Sequence, residues 1–145
     1  MKILAAIDNS SCKEAVLKAI SSQAQPRNTA VRVLHVLQPI AGSAPPQMAP
    51  GYSPELEPFA KPAWDLLKNA QKELASAGFD TDVEVKKGDI RETILDTAEE
   101  WGADLIVLGS HNNGGVRRLV LGSVAEYVAR YAKCSVEIVR NSRDH

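Results

Sequence analysis

The residues best suited to chemistry gather in one stretch, Gly109-Ser110-His111-Asn112-Asn113-Gly114-Gly115-Val116-Arg117-Arg118-Leu119-Val120-Leu121-Gly122-Ser123-Val124. It leaves a continuous apolar run, Leu105 to Leu108, and ends where a helical pattern begins. A helix start carries unpaired backbone N–H groups and the positive end of the helix dipole, and glycine lets a ligand approach the backbone closely, so the segment suits a phosphate-sized anion. His111, Arg117 and Arg118 add donors or positive charge. Gly109 also fits a tight turn alone, and Gly122-Ser123 a helix entrance alone. The stretch lacks the G-x-x-x-x-G-K-[ST] lysine, and Asp8-Asn9-Ser10-Ser11 stands where a dinucleotide fold would place G-x-G-x-x-G. With no P-loop lysine and no evident catalytic base, rapid phosphoryl transfer has little support, and no catalytic residue is assigned.

The elements that must hold this stretch follow from periodicity. Ile3–Ile7 and Leu105–Leu108 are unbroken apolar runs, and Val31–Leu37 is nearly so, as expected of strands covered on both faces. Thr81–Lys86 and Ser135–Ile138 alternate polar with apolar residues, as sheet-edge strands do. Three helix starts are marked by an oxygen side chain followed three residues later by Glu: Ser11 with Glu14, Asp89 with Glu92, and Ser123 with Glu126. Behind them run apolar stripes: Cys12, Val16, Ala19 and Ile20; Ile90, Ile94, Ala98 and Trp101; Val124, Val128 and Tyr131. A further helix is expected from about Pro62 through Ala63, Leu66, Leu67, Ala70 and Leu74 to a stop at Gly78.

Strands at about 2–8, 30–37, 80–87, 104–109 and 134–140 thus alternate with helices. That alternation predicts an α/β fold, an open doubly wound five-stranded parallel sheet of order 3-2-1-4-5 with helices on both faces. Winding reverses between the first and fourth strands, which leaves a ligand crevice at their carboxyl ends, lined by Asp8–Ser11 and by Gly109 onward. Seven of the eight prolines fall between Pro39 and Pro62, so a long proline-rich loop is expected at about 39–62, either a connector or a lid or partner surface.

Composition narrows the function. The 145 residues fit one domain, 1–145. A net charge of −1 and few aromatics argue against nucleic-acid or anionic-lipid surfaces. The apolar run Ile3–Ile7 is too short for an export signal or a membrane span, which need about 7–15 and about 20 residues, so a cytoplasmic protein is expected. Cys12 and Cys134 are too few and too far apart for a disulfide framework or a zinc site. Cys12 reads as a small buried residue, His35 as a packed, hydrogen-bonded histidine, and Trp64 and Trp101 as core.

Met1-Lys2-Ile3-Leu4-Ala5-Ala6-Ile7-Asp8, Val33-Leu34-His35-Val36, Ala103-Asp104-Leu105-Ile106-Val107-Leu108-Gly109-Ser110-His111 and Leu121-Gly122-Ser123-Val124-Ala125 together resemble the universal stress protein family over nearly the whole chain. That resemblance implies the adenine nucleotide alpha hydrolase-like fold. The ATP-binding members carry G-x2-G-x9-G-[ST] here, so Gly109, Gly122, Ser123 and the following Val124 would hold phosphates, with His111 and Asn112 in the same loop. By the same resemblance Asp8 would contact ribose, the Val36 backbone would read the adenine edge, and Ala6, Ile7 and Leu108 would complete the nucleoside pocket. The second motif glycine is Asn112, which tolerates positive φ but adds a side chain. The implied ligand is ATP with magnesium, the metal ligands unassigned. The implied role is nucleotide-dependent stress signalling with at most slow hydrolysis. The alternative is a family member that binds no nucleotide and serves as a dimeric interaction module. The family also implies a homodimer through the last strand, at Val136, Ile138 and Val139; a further protein partner is left unidentified.

Overall fold

A computed structural model describes residues 1–8, 12–38, 57–110 and 122–140. Five strands, β1 (Lys2–Ala6), β2 (Ala30–Leu37), β3 (Asp80–Lys87), β4 (Leu105–Gly109) and β5 (Ser135–Val139), alternate with α1 (Cys12–Gln23), α2 (Glu57–Ser76), α3 (Ile90–Trp101) and α4 (Ser123–Tyr131). All neighbouring strands are parallel, in the order β3-β2-β1-β4-β5, as the alternation predicts. Ile3, Leu4 and Ala5 of β1 and Ile106 and Val107 of β4 are essentially inaccessible, the outcome of helices covering both faces.

Side-chain alternation divides the interior into two layers. Ile3, Ala5, Val31, Val33 and Val107 pack with Val16, Leu17 and Ile20 of α1 and Leu67, Ala70 and Leu74 of α2. Leu4, Leu34, Ile106 and Leu108 pack with Ile94 and Ala98 of α3 and Ala125 and Val128 of α4. On β3 only one face is apolar. The other carries Asp82, which takes a two-pronged bond from Arg32 at 3.2 and 3.1 Å, and Glu84, beside Lys86 at 3.2 Å. Half-buried Trp101 stacks beneath the Lys2 ammonium and the Arg32 guanidinium, 5.6 and 4.7 Å from the ring centre. On the β5 edge, Val136 and Ile138 pack into the α3–α4 layer and Val139 into the other, all half-buried.

Four expectations need correction. Helix α2 begins at Glu57, so Pro62 lies inside it and not at its first position, and the expected loop ends earlier. A proline at the sixth residue removes a single bond, to the Pro58 carbonyl, while buried Ala63, Leu67, Ala70 and Leu74 anchor the rest. Ser123 is the first helical residue and not the cap of α4. Gly122 takes the cap position in an extended conformation, and Glu126 turns to Arg130 at 3.3 Å. Trp64 is 40% exposed and Tyr131 55%, so neither is core. Both lie where their helices turn toward solvent, and Tyr131 stacks on Tyr127 with ring centres 4.7 Å apart. Finally β1 stops at Ala6, leaving Ile7 and Asp8 beyond the ladder. Most of the proline-rich stretch, and the Ser11 cap, lie outside the described residues.

Candidate functional site

The carboxyl ends of β1 and β4 open into a cavity of about 730 Å³, within the roughly 300–1,000 Å³ usual for small-molecule sites. Ala6, Ile7, Asp8, Val36, Leu108, Gly109, Gly122, Ser123 and Val124 all line it. His111 and Asn112 lie outside the described residues. The structure therefore brings the described candidates to one place, from four elements distant in sequence. It adds wall residues that no ligand-binding motif marks: Lys13 of α1, Gln38 after β2, and Asp89, Ile90, Arg91 and Ile94 at the start of α3. The α3 positions among them were legible in the sequence, but their approach to the crevice depends on how α3 crosses the sheet.

Three helix starts face this cavity, and their amides differ in occupancy. At α3 the Asp89 carboxylate accepts from the Glu92 N–H at 3.1 Å, and the Gln38 side-chain oxygen accepts from the Ile90 N–H at 3.1 Å. Those donors are in use. At α4 the first intrahelical bond is Glu126 N–H to the Gly122 carbonyl, 3.0 Å, and Gly122 offers no side chain to cap the preceding amides. The starts of α1 and α4 both follow residues that are not described. Among the described residues, the first amides of α4 have neither an intrahelical acceptor nor a capping side chain, an arrangement that suits an anion.

The charged groups on the wall are of both signs. Arg91 lies 3.7 Å from Asp89 and stacks over Tyr127, 4.7 Å from the ring centre, so its charge is held at the rim. Asp8 is exposed at the mouth. His35 is half-buried, and its Nδ1 lies 2.9 Å from the Ile7 carbonyl oxygen, which requires that nitrogen to carry the proton and donate. Packing and hydrogen bonding of His35 are as expected. Cys12 is buried on the cavity floor. No group of three or more His, Cys, Asp or Glu side chains able to hold a metal occurs among the described residues.

The family model described as the universal stress protein family matches residues 1–140. The chain belongs to that family. Universal stress protein YxiE of Bacillus subtilis (strain 168) is 30% identical over 145 residues, 96% of this chain and 98% of that protein. Among solved structures, that of MJ0577 of Methanocaldococcus jannaschii matches with a TM-score of 0.79 and 26% identity, over 97% of this chain and 96% of that one. A universal stress protein in complex with cAMP matches with a TM-score of 0.71 and 25% identity, over 98% of each chain. The adenine nucleotide alpha hydrolase-like fold expected from the resemblance is the fold found. No helix among the described residues is long and apolar enough to cross a membrane.

Proposed function

We propose that this universal stress protein binds an adenine nucleotide, ATP foremost, in the β1–β4 crevice and signals in the cytoplasm through its ligand state, with at most slow hydrolysis. The observation that carries this reading is the start of α4, uncapped among the described residues, on the wall of a nucleotide-sized cavity. The amides of Ser123, Val124 and Ala125 and the Ser123 hydroxyl would take phosphate oxygens, with Gly109 and Gly122 beside them. Asp8 would accept from ribose hydroxyls, the Val36 peptide would meet the base edge, and Ala6, Ile7 and Leu108 would sandwich the nucleoside. His111 and Asn112 would border the phosphates.

The family and the cAMP complex of a structural relative lend support, since that relative holds an adenine nucleotide in the same fold. Magnesium fits as a companion of the phosphates: it commonly takes one or two carboxylates, substrate oxygens and water, so no preformed cluster is needed. It would supply charge neutralisation along the phosphate chain. We further propose that two copies pair along β5, the outer strand of the sheet among the described residues, which carries Val136, Ile138 and Val139.

Isothermal titration with ATP, ADP and AMP tests the nucleotide reading. One saturable site per chain is expected, with a gain in unfolding free energy of about 2.7 kcal/mol at a hundredfold excess over Kd. Absence of heat and of thermal stabilisation at millimolar nucleotide overturns it. A family member acting only as an interaction module is the second reading, favoured by Asn112 in place of the motif glycine. In that case Asn112→Gly gives no binding either, whereas an impaired site would gain affinity.

A further inference from the structure

The β1–β2 ladder ends at the Ala6–Leu34 pair, although β2 continues to Leu37. Three bonds fix which way the β2 peptides point. The Ala30 N–H donates to the Met1 carbonyl at 2.9 Å, and the Leu34 carbonyl accepts from the Ile7 N–H at 3.0 Å, both toward β1. The Leu37 carbonyl accepts from the Gly88 N–H at 3.0 Å, toward β3. In a parallel sheet the main-chain groups alternate sides residue by residue, so the Val36 N–H and carbonyl point toward β1, beyond its last rung.

The acceptor that the Val36 N–H would meet in one more rung is the Ile7 carbonyl. That oxygen is instead held by His35 Nδ1–H at 2.9 Å. The His35 side chain rises on the same face as Val33, toward α1 and α2, so its bond reaches that carbonyl from one face of the sheet and not from the neighbouring strand. Both residues, and Val36, line the cavity.

We infer that His35 is a specificity-positioning residue: by occupying the Ile7 carbonyl it stops the β1–β2 ladder one rung early and keeps the Val36 peptide turned to the cavity for a purine edge. The part concerning the purine rests on the nucleotide reading above; the ladder role does not. A peptide N–H beside its own C=O complements adenine, whose N1 accepts and whose 6-amino group donates. Guanine presents the opposite pair, O6 accepting and N1–H donating, so the same two atoms discriminate between the bases. In this role His35 acts through the backbone, by the bond it donates to the Ile7 carbonyl.

The test is amide hydrogen exchange at Val36 read by NMR, in the unsubstituted chain, in His35→Leu, which loses the donor, and in His35→Asn, whose side-chain amide retains one near the Nδ1 position. In the unsubstituted chain Val36 is expected to exchange at least about a hundredfold faster than the ladder amide of Leu34. In His35→Leu the Val36 rate should slow about tenfold as the extra rung closes, and His35→Asn should restore it. The AMP-over-GMP affinity ratio should fall about tenfold in His35→Leu and recover in His35→Asn. Equal protection of Val36 and Leu34 in the unsubstituted chain overturns the inference without any variant. So does a Val36 rate unmoved by His35→Leu, or an unchanged base ratio in a variant whose Val36 amide has slowed. Slowing in His35→Leu, with no nucleotide bound by the unsubstituted chain, keeps the ladder role and overturns the nucleotide reading.

Discussion

A Cβ placed on Gly109 would lie 2.5 Å from the Cβ of Cys12 and 3.1 Å from its sulfur. The first motif glycine therefore has a packing duty that is independent of any phosphate: it lets the start of α1 close on the end of β4, where both line the cavity. The nearest atom is Cβ and not the mobile sulfur, so a side-chain rotation gives no relief.

Gly109→Ala is expected to cost about 1–3 kcal/mol through overpacking, read as a lower urea midpoint at unchanged m. Cys12→Ala removes the sulfur but leaves the closer carbon, so adding it to Gly109→Ala should not restore the midpoint, whereas adding Cys12→Gly should. Recovery with Cys12→Ala would contradict the geometry.

Ser123→Pro separates the α4 amides from the helix they begin. Proline suits a first helical position, and Gly122 at φ −63°, ψ 155° already has the extended conformation that a residue before proline prefers. The variant should fold with near-normal stability but lose one N–H and one hydroxyl from the anion site. Affinity for AMP or ATP should fall roughly tenfold or more, while affinity for adenosine, which has no phosphate, holds. Titration calorimetry with both ligands reads the difference, and a parallel loss for adenosine would remove the phosphate assignment.

The two ends of α3 give a pair of stability tests with different causes. Asp89→Ala removes the carboxylate that accepts from the Glu92 N–H and should cost about 0.5–2 kcal/mol. Gly102→Ala meets no atom within 4 Å, yet φ is +77°, so its cost, about 1 kcal/mol, is entirely backbone. Gly102→Asn should recover part of that loss, because Asn tolerates the left-handed region. Denaturant midpoints order the three variants.

Cys134 predicts a pH dependence. Burial raises its thiol pKa above the ordinary value of 9.0, and the Asp104 carboxylate adds to the rise, against a smaller opposing backbone hydrogen bond. Below the ordinary value the thiol is protonated in both folded and unfolded chains and contributes no slope. As pH climbs past 9.0 the unfolded thiol ionises first, which favours unfolding, so this contribution to stability is lost as pH rises toward the folded value. Urea midpoints from pH 7 to about 10.5 should therefore decline more steeply for the unsubstituted chain than for Cys134→Ala. Parallel curves would show that burial does not govern this thiol.

The strand order was legible because burial on both faces leaves so plain a mark: Ile3–Ile7 and Leu105–Leu108 have no polar interruption, and both became central. Helix starts were legible only in part. Asp89 caps α3 as its spacing with Glu92 suggests, but the same spacing misled at Ser123, because Gly122 took the extended conformation and shifted the helix by one residue. Pro62 misled because a proline early in a helix looks alike at the first residue and the sixth, and only the burial of Ala63 and Leu67 with the rest of α2 separates them. Trp64 shows the limit of a stripe: helical spacing says which residues share a face, while packing decides where that face ends. His35 reads as hydrogen-bonded in the sequence, but its partner there, and the Gln38 bond to main chain, had no signal, since each depends on where one strand outlasts its neighbour.

The early departure of β1 from the sheet has a consequence for how quickly the site can fill. A notch produced by unequal strand lengths exists as soon as the chain has folded, and among the described residues no packed surface must be prised open to reach it. The association rate of an entering molecule should therefore climb linearly with concentration, without the plateau that a preceding rearrangement imposes.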